Sequence, residues 1–180
     1  MIKYLIFFSC SLNYLNCFPQ KKKGEIIVFS NVTNFELNKG TQVRKIKHSN
    51  KEEIILILQN NQKIRLKSDS IWGFKFHDSL PYRNNRHNFF KIEQISERIV
   101  IYSQKSKGYR GRSKTVYYFS RELDSAIHPL KRKYLFKEFE ENQCLVNALN
   151  TEFKWPYNYN KWDYHSASFK LVTLVNKPCL

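Results

Sequence analysis

Acidic residues are scarce in this chain: 15 Asp and Glu stand against 31 Lys and Arg, for a formal net charge of +16 at pH 7 across 180 residues. Such a surface repels cationic partners and attracts phosphate, acidic glycans and anionic lipid, although net charge alone speaks to solubility more than to role. Glycine is also rare, at five, and no two are adjacent. That removes the phosphate-cradling glycine loop, the double-glycine dinucleotide fingerprint and the nucleophile elbow. No helical His-Glu pair, no nucleophile with an identifiable base and no obvious pair of catalytic carboxylates stands in the sequence, so nothing in it points to an enzyme or implies a cofactor. Four cysteines are too few for a disulfide framework. Finally, no run of about 20 uninterrupted apolar residues is present to form a permanent transmembrane anchor.

What the chain does have is apolar and aromatic weight, 42% and 16%, enough to build a core and to argue against wholesale disorder. Its length suits one domain. Lys3, the apolar residues 4–8, then Leu12 and Tyr14-Leu15, match the basic and apolar regions of a signal segment. Ser9, Ser11, Asn13 and Asn16 interrupt the run, and Lys21-Lys22-Lys23 ends it. The expectation is therefore export, with residues 1–20 removed and 21–180 folding as a single domain. A lipidated Cys17 and a buried N-terminal strand or helix are the alternatives. Removal of the leader leaves Cys144 and Cys179; a single bridge is permitted, but the apolar helical pattern around Cys144 reads as a buried thiol.

Residues 25–119 read as sheet-forming. A strand at 25–29 precedes a polar stretch, 31–50, read as loop with one further strand. Residues 54–58 and 63–67 flank Asn60-Asn61 as a hairpin, with Ile64 and Leu66 on one face. Trp72, Phe74 and Phe76 alternate and are expected to share a face. Residues 89–92, 99–102 and 115–119 complete the series. Pro129 suits the first turn of a helix that carries Leu130, Tyr134, Leu135 and Phe139, and Leu145, Val146, Leu149 and Phe153 form a second. An aromatic tail, 154–180, follows. The fold class is α+β: an N-terminal antiparallel β-sheet of several short strands followed by two C-terminal helices packed on it.

The succession Ile71-Trp72-Gly73-Phe74, Pro81-Tyr82-Arg83, Ile99-Val100-Ile101-Tyr102 and Tyr117-Tyr118-Phe119-Ser120 with Leu123-Asp124, then Leu130 and Leu135, resembles a family of exported Bacteroidota proteins without an assigned activity. The resemblance spans residues 50–153, and no turn glycine stands near Ser79-Leu80. Its motifs are aromatic and structural, so it implies export and fold and carries no functional residues.

Two segments gather polar chemistry. The loop 77–87 holds His77, Asp78, Tyr82, Arg83, Arg86 and His87. Its histidine spacing matches no metal site, and Tyr82 and Arg83 read as pins between loop and sheet, with Arg donating to a carbonyl or carboxylate. Residues 103–114 place Lys105, Lys107, Arg110, Arg112 and Lys114 around Tyr109. As a flexible basic loop it could grip an anionic surface, either lipid headgroups or acidic glycan, with Tyr82 and Arg83 as further candidate contacts, or else serve as a soluble hairpin tip between Tyr102 and Thr115. The leading expectation is a non-enzymatic exported or envelope-associated domain that binds such a surface or a protein. The alternative is an intracellular nucleic-acid module using the same loop.

Overall fold

Every strand pairing among the described residues is antiparallel. The computed structural model describes residues 25–48, 52–77, 79–107, 112–154 and 158–177. The expected leader, Asp78, Tyr109, Arg110 and Cys179 lie outside them.

The chain opens with β1 (Ile26–Phe29) and then a short helix, α1 (Val32–Glu36), in a stretch expected to be loop. Asn31 explains the difference: its side chain accepts from the Asn34 amide at 2.8 Å, a local cap that hydrophobic periodicity does not register. Strands β2 (Thr41–Val43) and β3 (Lys45–His48) follow, so the polar stretch holds two strands where one was expected. The hairpin of β4 (Glu53–Ile57) and β5 (Lys63–Lys67) forms as the alternation predicts. Asn61 takes the positive φ that its turn requires.

Next come β6 (Gly73–Phe76), β7 (Tyr82–Asn85), β8 (Asn88–Ile95), β9 (Val100–Lys107), β10 (Ser113–Ser120) and β11 (His128–Pro129). The expected 77–87 loop thus contains a strand. Arg86 and His87, both at positive φ, close the β7–β8 hairpin as a two-residue turn without the usual glycine, which hides it from sequence reading. At Gly73 two backbones come so close that an added Cβ would strike the Tyr82 carbonyl. Pro129 pairs with Tyr118 at the sheet edge, where its missing N–H costs nothing, and the helix begins later.

The C-terminal part contains α2 (Arg132–Glu138), α3 (Gln143–Glu152), β12 (Trp162–Asp163), β13 (Ser168–Phe169) and α4 (Lys170–Asn176). Three helices are thus described in this part where two were expected, because Leu171, Val172 and Val175 of the aromatic tail give α4 its own buried stripe. None of the described helices is long and apolar enough to cross a membrane.

Eight strands form one sheet in the order β11-β10-β9-β8-β7-β6-β1-β2, and β3-β4-β5 form a second. Residues directly opposite in register share a face. Thr41, Val28, Phe74, Tyr82, Lys91, Ser103 and Tyr117 consequently line up across seven strands. The small sheet covers one end of that face, packing Ile54 and Leu56 on Ile26, Val28 and Phe74. The helices cover the other end, packing Leu135, Leu145, Leu149 and Val175 on Ile99, Ile101 and Phe119. On the reverse face Phe90, Ile92, Val100 and Tyr102 are packed by Phe35, Leu123 and Ile127. Trp72 joins that reverse cluster and stacks on Phe35 at 4.6 Å, so it does not share a face with Phe74. The strand starts at Gly73, and the alternation does not extend back through Trp72.

Candidate functional site

The small sheet has two unlike faces. Register places Ile46, Leu56 and Ile64 in one row and Ile54 and Leu66 in another, all turned to the core. The outer face reads Lys45–Ile57–Lys63, Lys47–Ile55–Arg65 and Glu53–Lys67. Five cations, all exposed, therefore flank the central β4 strand, with Glu53 in the array itself and Glu52 and Asp69 beside Lys67 at its edge. Facing cations stand two strand spacings apart, roughly 10 Å. Ile57 between them is only 6% exposed, a burial that long lysine stems can provide while their ammonium groups stay in water.

Sequence reading missed this array. In residues 63–67 the alternation of Ile64 and Leu66 was legible, yet the same alternation puts Lys63, Arg65 and Lys67 together on the other side. Lys45 and Lys47 lay in a stretch expected to be mostly loop.

The basic stretch 103–114 is largely ladder. Lys105 pairs with Thr115, Ser106 with Lys114, and Lys107 with Ser113, so the hairpin expected between Tyr102 and Thr115 is paired well beyond those residues, and a flexible loop over the whole stretch is corrected. Continuous pairing of β9 with β10 satisfies the backbone out to the tip. Lys105, Lys107, Arg112 and Lys114 are exposed, while Tyr109 and Arg110 fall outside the described residues.

Tyr82 and Arg83, adjacent in sequence, point to opposite faces. Arg83 is 6% exposed; it donates to the Tyr102 hydroxyl at 2.9 Å and to the Ser125 carbonyl at 2.7 Å. It pins the segment after β10 to the sheet and does not face the basic hairpin's open side. Tyr82 does share a site with Lys105. Both line an open groove of about 560 Å³ in the middle of the large sheet, with Phe89, Lys91, Glu93, Ser103 and Tyr117.

A β-bulge shapes this groove. The β8–β9 register shifts between Ile92 and Gln94, and the extra residue, Glu93, turns to the same face as Gln94. Ser103 donates to Glu93 at 2.5 Å and Lys91 Nζ lies 3.0 Å from both of its carboxylate oxygens. Gln94 bonds Ser168 at 2.7 Å and the Phe169 amide at 3.0 Å, which docks the helical layer beside the groove.

His77 and His87 are both exposed, and no group of three or more His, Cys, Asp or Glu among the described residues could hold a metal ion. Cys144 is exposed and disulfide-bonded, a correction to the buried thiol. The core positions of α3 are Leu145 and Leu149, four apart, and Cys144 stands one residue off that stripe. No family model, no curated protein and no solved structure matches the chain.

Proposed function

We propose that this protein is an exported, non-enzymatic domain of the cell envelope or exterior that docks on an anionic lipid surface through the outer face of the β3–β4–β5 sheet. The observation that carries the proposal is the array of Lys45, Lys47, Lys63, Arg65 and Lys67 around Ile55 and Ile57, with Glu53 as its acid. A short sheet can lay such a grid on a plane of headgroups, where each Lys or Arg near the surface contributes about 1 kcal/mol. Export is supported by the signal-like residues 1–20 and by the disulfide at Cys144, since disulfides persist in oxidising compartments. Membership of the exported Bacteroidota family that the aromatic motifs resemble is part of the same proposal.

The test is sedimentation with vesicles of phosphatidylcholine, with and without phosphatidylglycerol. Binding is expected only to the anionic vesicles and to weaken as salt rises. The double variant Lys47→Glu/Arg65→Glu, both at exposed positions, is expected to weaken it by at least about tenfold. Equal binding to neutral vesicles, or an unaffected double variant, refutes the assignment. Export stands or falls separately on mass spectrometry of the mature protein, where an intact N-terminus in a cytosolic product would sink it. A salt-dependent affinity for nucleic acid with no vesicle binding would favour the intracellular alternative.

A further inference from the structure

The groove in the large sheet lies apart from the cation array and has a different chemistry. Its floor is one register row, Tyr82–Lys91–Ser103–Tyr117, crossing four neighbouring strands. Three strand spacings separate the end members, roughly 14 Å. Each end is an aromatic ring held from behind. Tyr82 stacks on Phe74 at 5.0 Å between centroids and 14° between planes, and Tyr117 meets Phe169 edge-on at 5.8 Å. Rings fixed in this way need little reorganisation to receive a ligand.

The centre of the row is polar and already ordered. Glu93 is brought in by the bulge, accepts from Ser103, and pairs with Lys91. This pairing leaves the carboxylate with lone pairs to spare and gives Lys91 a fixed place. Lys105, opposite Thr115 at the rim, is exposed and adds a positive charge that the Lys91–Glu93 pair does not offset.

Aromatic ends, a hydroxyl- and carboxylate-bearing centre and one uncompensated cation together define a ligand. The apolar C–H face of a pyranose covers an aromatic ring, while its rim of hydroxyls donates to a carboxylate and accepts from a lysine or serine. A phosphodiester chain fits less well, because nucleic acid offers the Glu93 carboxylate fewer hydroxyl donors. We propose that this groove binds a short acidic oligosaccharide: sugar faces on Tyr82 and Tyr117, hydroxyls on Glu93, Lys91 and Ser103, and a carboxylate or sulfate on Lys105.

The experiment is amide NMR titration of the oxidised, mature protein with tetragalacturonate, a chondroitin sulfate tetrasaccharide, neutral cellotetraose and oligothymidylate. At least one acidic sugar is expected to bind, with shifts concentrated at residues 82, 91–93, 103–105 and 117. Tyr117→Ala is expected to weaken that binding about tenfold. Because Tyr117 also packs on Phe169, Lys105→Glu serves as the second variant: it is exposed, and it should cost at least about fivefold for the acidic sugars while leaving vesicle binding unchanged. Binding by neither acidic sugar overturns the proposal. So does cellotetraose binding as tightly as the acidic sugars, oligothymidylate alone shifting the groove, or an unaltered affinity in Lys105→Glu.

Discussion

Arg83 on β7 and Tyr102 on β9 are separated by β8, yet the Arg83 guanidinium donates to the Tyr102 hydroxyl at 2.9 Å inside the reverse face of the sheet. The contact extends into a chain of buried polar groups. Tyr102 shares a hydrogen bond with Ser120 at 2.9 Å, Ser120 donates to the Glu122 carbonyl at 2.5 Å, and Arg83 reaches the Ser125 carbonyl. Three groups on three strands thereby hold down the segment that connects sheet to helices.

Replacing Arg83 tests that network. Arg83→Ala is expected to destabilise the protein by about 2–4 kcal/mol, because it strands the Ser125 carbonyl and empties a packed site. Tyr102→Phe, which keeps the ring, should cost only about 1–2 kcal/mol. Urea unfolding of both variants and their double mutant checks this, with a coupling energy above about 0.5 kcal/mol expected for groups in contact.

The disulfide at Cys144 makes a second prediction. Gln143 and Leu145, on either side of it, line one cavity with Val175 of α4. Cys179 follows four residues after Val175 in sequence, so non-reducing peptide mapping is expected to join the Cys144 and Cys179 peptides. In the chain-entropy model a loop of that length is worth about 3–4 kcal/mol. Reduction, or Cys144→Ser, should lower Tm accordingly, while a peptide map joining Cys144 to Cys10 or Cys17 would show that the leader is retained.

Acid stability offers a third. The Lys170 ammonium bonds the Glu152 carboxylate across the ends of α3 and α4 and holds its pKa below the ordinary 4.5, with the charges of Lys170, Lys177 and Lys161 reinforcing it against slight desolvation. A depressed carboxylate pKa contributes stability that is present above pH 4.5 and is lost as the pH falls through the folded value. Both side chains are more than a third exposed, so the contribution is limited to about 0.2–1 kcal/mol. Glu152→Gln should lower Tm slightly at pH 7, and the difference from the parent should shrink progressively as the pH falls below 4.5.

Within single segments, sequence and structure agree closely. The β-branched-rich run 54–58, the turn at Asn60-Asn61 and the alternation of Ile64 and Leu66 announce a hairpin, because these are local properties of the segment. Leu145 and Leu149 mark a helix stripe through their four-residue spacing, which is equally local. Elements set by unusual local features were not legible: β7 turns into β8 through Arg86-His87 without a glycine, and α1 rests on a single capping asparagine. The basic hairpin was legible as a connection between Tyr102 and Thr115, but the length of its ladder was not, since lysines mark a solvated loop and a solvated strand alike.

By itself, then, the chain determined its strongly basic composition, the placing of most strands ahead of the larger helices and the apolar side of most segments, all of which follow from composition and local periodicity. Only tertiary structure decided that Tyr82, Lys91, Ser103 and Tyr117 form one row, that Arg83 turns inward, and that the lysines of β3 and β5 share a plane. Alternation says which side of a strand a residue occupies. It does not say which strand lies alongside or in what register, and those pairings are chosen by the packing of the whole sheet against its two covering layers.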